Sequence, residues 1–134
     1  MKSHHLLILF LALSCSACIL GKKRQKEKIG SGKLRFTELS YNFGTLRHGD
    51  VVAHRFRVVN EGDYPVTIQE VSHQCGCTDA FFTKAPIDPA DTGYVEVLFD
   101  TKGWQGRQVK QVVVMANDSV KRHELLVWAS INRN

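Results

Sequence analysis

The sequence predicts an all-β domain, an antiparallel β-sandwich of about seven strands, over residues 33–134. Three observations carry this. From Lys33 onward, apolar and polar residues alternate with a period of two in several short runs, and no 3.6-residue period competes. Turn residues break these runs at intervals of about ten residues, the spacing expected of a sandwich. A segment of about a hundred residues can also fold around a hydrophobic core without covalent staples.

The elements follow in order. Leu34 and Phe36, then Tyr41 and Phe43, mark two short extended pieces on either side of Glu38-Leu39-Ser40. Gly44 and His48-Gly49-Asp50 are bends. Val52, His54, Phe56 and Val58 alternate with Ala53, Arg55 and Arg57, which reads as a half-buried strand ending at the turn cluster Asn60-Glu61-Gly62-Asp63. Val66 and Ile68 open another strand after Pro65, and the off-parity Val71 predicts either a bulge or a change of face near Glu70. Asp79 to Asp91 reads as irregular chain, with Phe81 and Phe82 folded back onto the core. Val95, Val97 and Phe99 form the next strand. Val109 to Met115 is β-branched and apolar, as a strand near a sheet centre should be. Leu125, Val127, Ala129 and Ile131 close the domain, and the missing Cys-Trp-Cys spacing excludes an antibody-type domain.

Residues before this domain carry a different signature. Lys2 precedes eight consecutive apolar residues, Leu6 to Leu13, and Ser14-Cys15-Ser16-Ala17-Cys18 follows. This is the pattern of an export signal, too short for a spanning helix, which needs about 18 apolar residues. The cysteines make it resemble a bacterial lipobox. Ser16-Ala17-Cys18 is the preferred frame, giving a signal over 1–17 and a lipidated Cys18; Ala12-Leu13-Ser14-Cys15 is the competing frame, with Cys15 modified instead. An uncleaved anchor and an ordinary secretory signal are the plainer alternatives. Residues 18–32 read as the lipidated cysteine and a basic flexible linker. Five basic residues and one acidic residue fall between Lys22 and Lys28, suited either to anionic headgroups or to simple solvation. From Gly30 onward, twelve basic and twelve acidic residues balance, so the net charge of +5 belongs to the leader and tether. The domain therefore lacks the basic footprint of a nucleic-acid reader.

His73-Gln74-Cys75-Gly76-Cys77-Thr78 is the most distinctive run. Three readings stand beside one another. Cys75 and Cys77 can be small structural thiols flanking a tight backbone at Gly76. They can form a disulfide, which export would permit. A three-residue loop gives about 1.6 kcal/mol in the chain-entropy treatment, before ring strain is subtracted, so such a bond would be a poor staple and readily reduced. Or His73, Cys75 and Cys77, two residues apart on one face of an extended strand, can offer an imidazole and two thiolates to zinc or cuprous copper.

Other constellations are plainer. No Ser/His/Asp arrangement has a supporting motif, and no glycine-rich phosphate loop is present, so neither an enzyme nor a cofactor is expected. Asp88 and Asp91 fit a turn better than a pair of catalytic carboxylates. Trp104, between Gly103 and Gly106, is either a partner contact or a cap on the sandwich end. Asp118-Ser119-Val120 resembles a bacterial O-glycosylation acceptor.

Five segments in order resemble the bacterial domain-of-unknown-function family 1573. They are Asn42-Phe43-Gly44, Phe56-Arg57-Val58-Val59-Asn60, Cys75-Gly76-Cys77-Thr78, the run Ile87 to Gly93, and the strand pair after Gly106. The resemblance implies an Ig-like sandwich and an exported Gram-negative protein, often lipid-anchored, and it implies no activity. The expectation is a non-enzymatic, periplasm-facing lipoprotein at the cell envelope, with surface exposure as a variant. Its domain would hold another envelope protein. The alternative is a thiol-redox or metal-handling protein acting through Cys75 and Cys77.

Overall fold

A computed structural model describes residues 31–133, in which eight strands and no helix are found. They are β1 (Leu34–Phe36), β2 (Ser40–Arg47), β3 (Val51–Asn60), β4 (Ile68–His73), β5 (Thr78–Phe82), β6 (Thr92–Asp100), β7 (Gly106–Ala116) and β8 (Arg122–Asn132). The export signal, the lipidation candidates Cys18 and Cys15 and the basic run lie outside the described residues.

Two four-stranded sheets form the sandwich, ordered β1-β3-β6-β5 and β2-β8-β7-β4. Alternate residues of each strand point inward, because side chains switch faces at every step. Phe56 and Val58 of β3 and Val95, Val97 and Phe99 of β6 line one wall. Val112 and Val114 of β7, with Leu125, Val127, Ala129 and Ile131 of β8, line the other. All are 3% exposed or less. The bulge expected near Glu70 is present as a register shift between Ile68 and Glu70.

The expected all-β sandwich is present, and three details differ. The strand count is eight, because Thr78 to Phe82, read as irregular chain, pairs in register with β6. Phe81 and Phe82 do not both return to the core: neighbours on a strand face opposite ways, so Phe82 packs on the core while Phe81 stands 56% exposed. The sandwich is not wholly antiparallel either. After β1 the chain crosses to the other sheet, and β2 runs parallel to β8 there, with a register shift between Asn42 and Thr45 at which Gly44 adopts φ +76°.

Candidate functional site

β4 is the edge of one sheet and β5 the edge of the other, so the chain must change sheets between His73 and Thr78. It does so in a tight turn. The Cys75 carbonyl accepts the Thr78 backbone N–H at 3.3 Å and lies 2.9 Å from His73 Nδ1. The Cys77 carbonyl accepts the Asp100 N–H at 2.9 Å, which docks the turn on the end of β6. Cys75 and Cys77 are joined as a disulfide across this corner, with their Cα atoms 5.3 Å apart. A Cβ on Gly76 would meet nothing within 4 Å, so the backbone at this glycine is not crowded.

Below the corner, β7 runs past the end of β4, which begins pairing with it only at Val112. A cavity of about 220 Å³ opens in that gap, lined by Gln74, Cys75, Thr78, Val109, Lys110 and Gln111. Lys110 shares inward parity with Val112 and Val114. Its Nζ lies 3.5 Å from the centroid of the Trp104 ring and 3.3 Å from Gln108 Oε1. Burial lowers the Lys110 pKa below the ordinary lysine value.

The metal set is not assembled. β4 ends at His73, so His73, Cys75 and Cys77 do not continue along one extended face. The sulfurs are bonded to each other, whereas a metal binds the thiolates. Among the described residues no group of three or more His, Cys, Asp or Glu side chains is arranged to hold a metal ion. Trp104 packs on Phe99, Ala129 and Ile131 as a cover for one end of the sandwich, and part of it also lines a second cavity with His48, Gly103, Gln105 and Arg133. Asp118, read as part of a glycosylation motif, is 4% exposed and bonded inside the fold, while Ser119 is exposed. Lys110 escaped the sequence reading, although its parity with Val112 and Val114 was a usable signal: it is a charge on the inward face of an otherwise apolar strand.

Solved structures share this sandwich. A protein of unknown function from Porphyromonas gingivalis superposes with a TM-score of 0.65 at 18% identity, covering 74% of this chain and 46% of that one. The PapD-like domain 7 of human CEP192 gives 0.58 at 14% identity, covering 78% and 87%. The VesB protease of Vibrio cholerae gives 0.57 at 12% identity, covering 75% and 31%. The chain thus spans less than half of either bacterial protein, and at these identities the likeness is one of fold. A comparison with functionally curated proteins finds no significant match. The sequence pattern described as "protein of unknown function (DUF1573)" matches residues 34–131, nearly the whole sandwich, and the chain belongs to that family.

Proposed function

We propose that this Ig-like domain is an interaction or scaffold module of the cell envelope rather than an enzyme. In this reading it is tethered to a membrane through lipidated Cys18, faces the periplasm, and holds an extended segment of another envelope protein. No nucleic acid is involved. The free edge of β5 supports the reading.

Edge strands invite a further strand unless they are blunted. Of the four edges, β1 has three residues, and β2 and β4 carry register shifts. β5 pairs with β6 in unbroken register. The Asp100 N–H bonds the Cys77 carbonyl, and the Thr83 N–H bonds the Tyr94 carbonyl at 3.1 Å. Bonded pairs alternate along an antiparallel ladder. The odd-numbered residues therefore spend their backbone groups on β6, and the even-numbered Ala80 and Phe82 turn theirs outward. Among the described residues no strand covers that edge. Phe81 beside it is 56% exposed, and Ala80 and Phe82 are half-buried. An added strand with alternating apolar side chains would bond the backbone and cover these side chains together.

Ala80→Pro tests this, because it removes an outward N–H and leaves the bonds to β6 in place. A photo-crosslinking residue at position 81 in cells should give a discrete protein adduct that Ala80→Pro abolishes. The same probe at Leu126, exposed on the opposite sheet, should give none. An adduct from position 81 that survives Ala80→Pro, or no adduct from it at all, overturns the reading.

A further inference from the structure

The two sulfurs of the disulfide share one bond but not one environment. Cys77 packs on the apolar cluster of Phe99, Ala129 and Ile131. Cys75 lines the cavity, whereas Cys77 does not. The backbone N–H of Cys77 points at the Cys75 sulfur from 3.3 Å. The Thr78 hydroxyl lies 3.6 Å from the Cys75 sulfur and 3.8 Å from that of Cys77, and favours neither strongly. The asymmetry therefore comes from the cavity and the N–H.

We propose that Cys75–Cys77 is a thiol–disulfide exchange centre that accepts two electrons from a protein dithiol, with Cys75 the sulfur that is attacked. An incoming thiolate reaches Cys75 through the cavity and bonds to its sulfur. The Cys75–Cys77 bond breaks, its electron pair goes to Cys77, and Cys77 takes up a proton. The second thiol of the dithiol, as thiolate, then attacks its neighbour in the mixed disulfide, and Cys75 leaves with the electron pair. The dithiol becomes a disulfide, and its two electrons and two protons end on Cys75 and Cys77 as thiols. Access selects Cys75 for the first step. For the second, a thiolate that accepts an N–H is the better leaving group. This inference is independent of the β5 edge: it asks one exchange per chain and no turnover.

The test uses the full chain, read on the tryptic peptide 58–84, which separates Cys75 and Cys77 from the two leader cysteines. Dithiothreitol should open the bond while circular dichroism still reports the folded sandwich. Reduced glutathione, quenched early with acid, should be found on Cys75. After reduction, Cys77→Ser should alkylate about tenfold faster at pH 7 than Cys75→Ser, since a thiolate that is accessible and accepts an N–H reacts sooner. A bond that resists dithiothreitol until urea unfolds the domain overturns the proposal, and so does glutathione trapped on Cys77. Both of those outcomes are read on the native protein, so a variant that fails to fold does not remove the test.

Discussion

The side-chain amide of Asn60 donates to the Ile87 carbonyl at 2.9 Å, joining two motif segments that lie 27 residues apart. The same amide donates to the Tyr64 carbonyl at 2.7 Å, and its oxygen accepts the N–H groups of Lys33 and Gly62. The Asn60 backbone also bonds Asp91 and Ala90. A fully buried asparagine with every side-chain group engaged is a clamp on the end of the sandwich where β6 begins. Asn60→Ala should cost about 3 kcal/mol, because several buried partners lose their bond together. Asn60→Asp should cost at least as much, since a carboxylate cannot donate to the two carbonyls. Urea unfolding of the domain measures both, and a change within 0.5 kcal/mol, about the scatter of surface substitutions, would remove the clamp from the account.

Asp118 holds a second junction. Its carboxylate accepts the N–H of Leu34 at 3.0 Å and of Lys121 at 2.8 Å, and lies 3.0 Å from His123 Nε2. The first bond fastens β1 to the turn before β8. Asp118→Ala should destabilise by about 2–3 kcal/mol, the cost of leaving a buried donor unmatched. Hydrogen exchange should locate the loss, with the Leu34 amide losing protection before the amides of β6.

Both clamps show how far the sequence could be read. Period-two alternation located β3, β6 and β8, because burying one face forces that pattern, and an unbroken β-branched apolar run located β7. β5 was hidden because Phe81 and Phe82 look like one apolar pair, and only register with β6 assigns them to opposite faces. The parallel β2–β8 pair was equally hidden, since no local residue specifies which sheet a strand joins after a crossover. Asn60 read as a turn residue and Asp118 as a modification site, because the partners of a buried polar side chain lie far along the chain. At the candidate site the sequence supplied the cysteines, and the fold supplied Lys110, the cavity and the difference between the two sulfurs.

The proposed tether makes its own prediction. Cys18→Ala should release the protein from membranes into the soluble periplasmic fraction and abolish labelling by a fatty-acid analogue. Labelling that persists in Cys18→Ala and disappears in Cys15→Ala would move the modification to Cys15.

Gly93 closes the motif that begins at Ile87. A Cβ there would lie 2.5 Å from Ile87 Cδ1 and 3.1 Å from Thr83 Oγ1, and Ile87 is only 2% exposed. The side chain of Ile87 would have to leave its place in the core. Gly93→Ala should therefore destabilise the domain by about 1–3 kcal/mol, the usual cost of overpacking. Ile87→Val, which removes the clashing methyl, should be milder than additive when combined with it. Strictly additive losses in the double variant would show that the two residues do not compete for the same space.

The disulfide should matter little to stability. Its cysteines are two residues apart, and a loop that short limits the entropic gain to about 1.6 kcal/mol. The sandwich core, in contrast, is assembled from both sheets, and of the two cysteines only Cys77 packs against it. The double variant Cys75→Ser, Cys77→Ser should thus lower the unfolding free energy by less than about 2 kcal/mol and leave the far-ultraviolet circular dichroism unchanged. Loss of cooperative unfolding in that variant would make the bond architectural. A small loss instead frees the corner to open and close its disulfide with the fold intact around it, which any exchange chemistry at Cys75 requires.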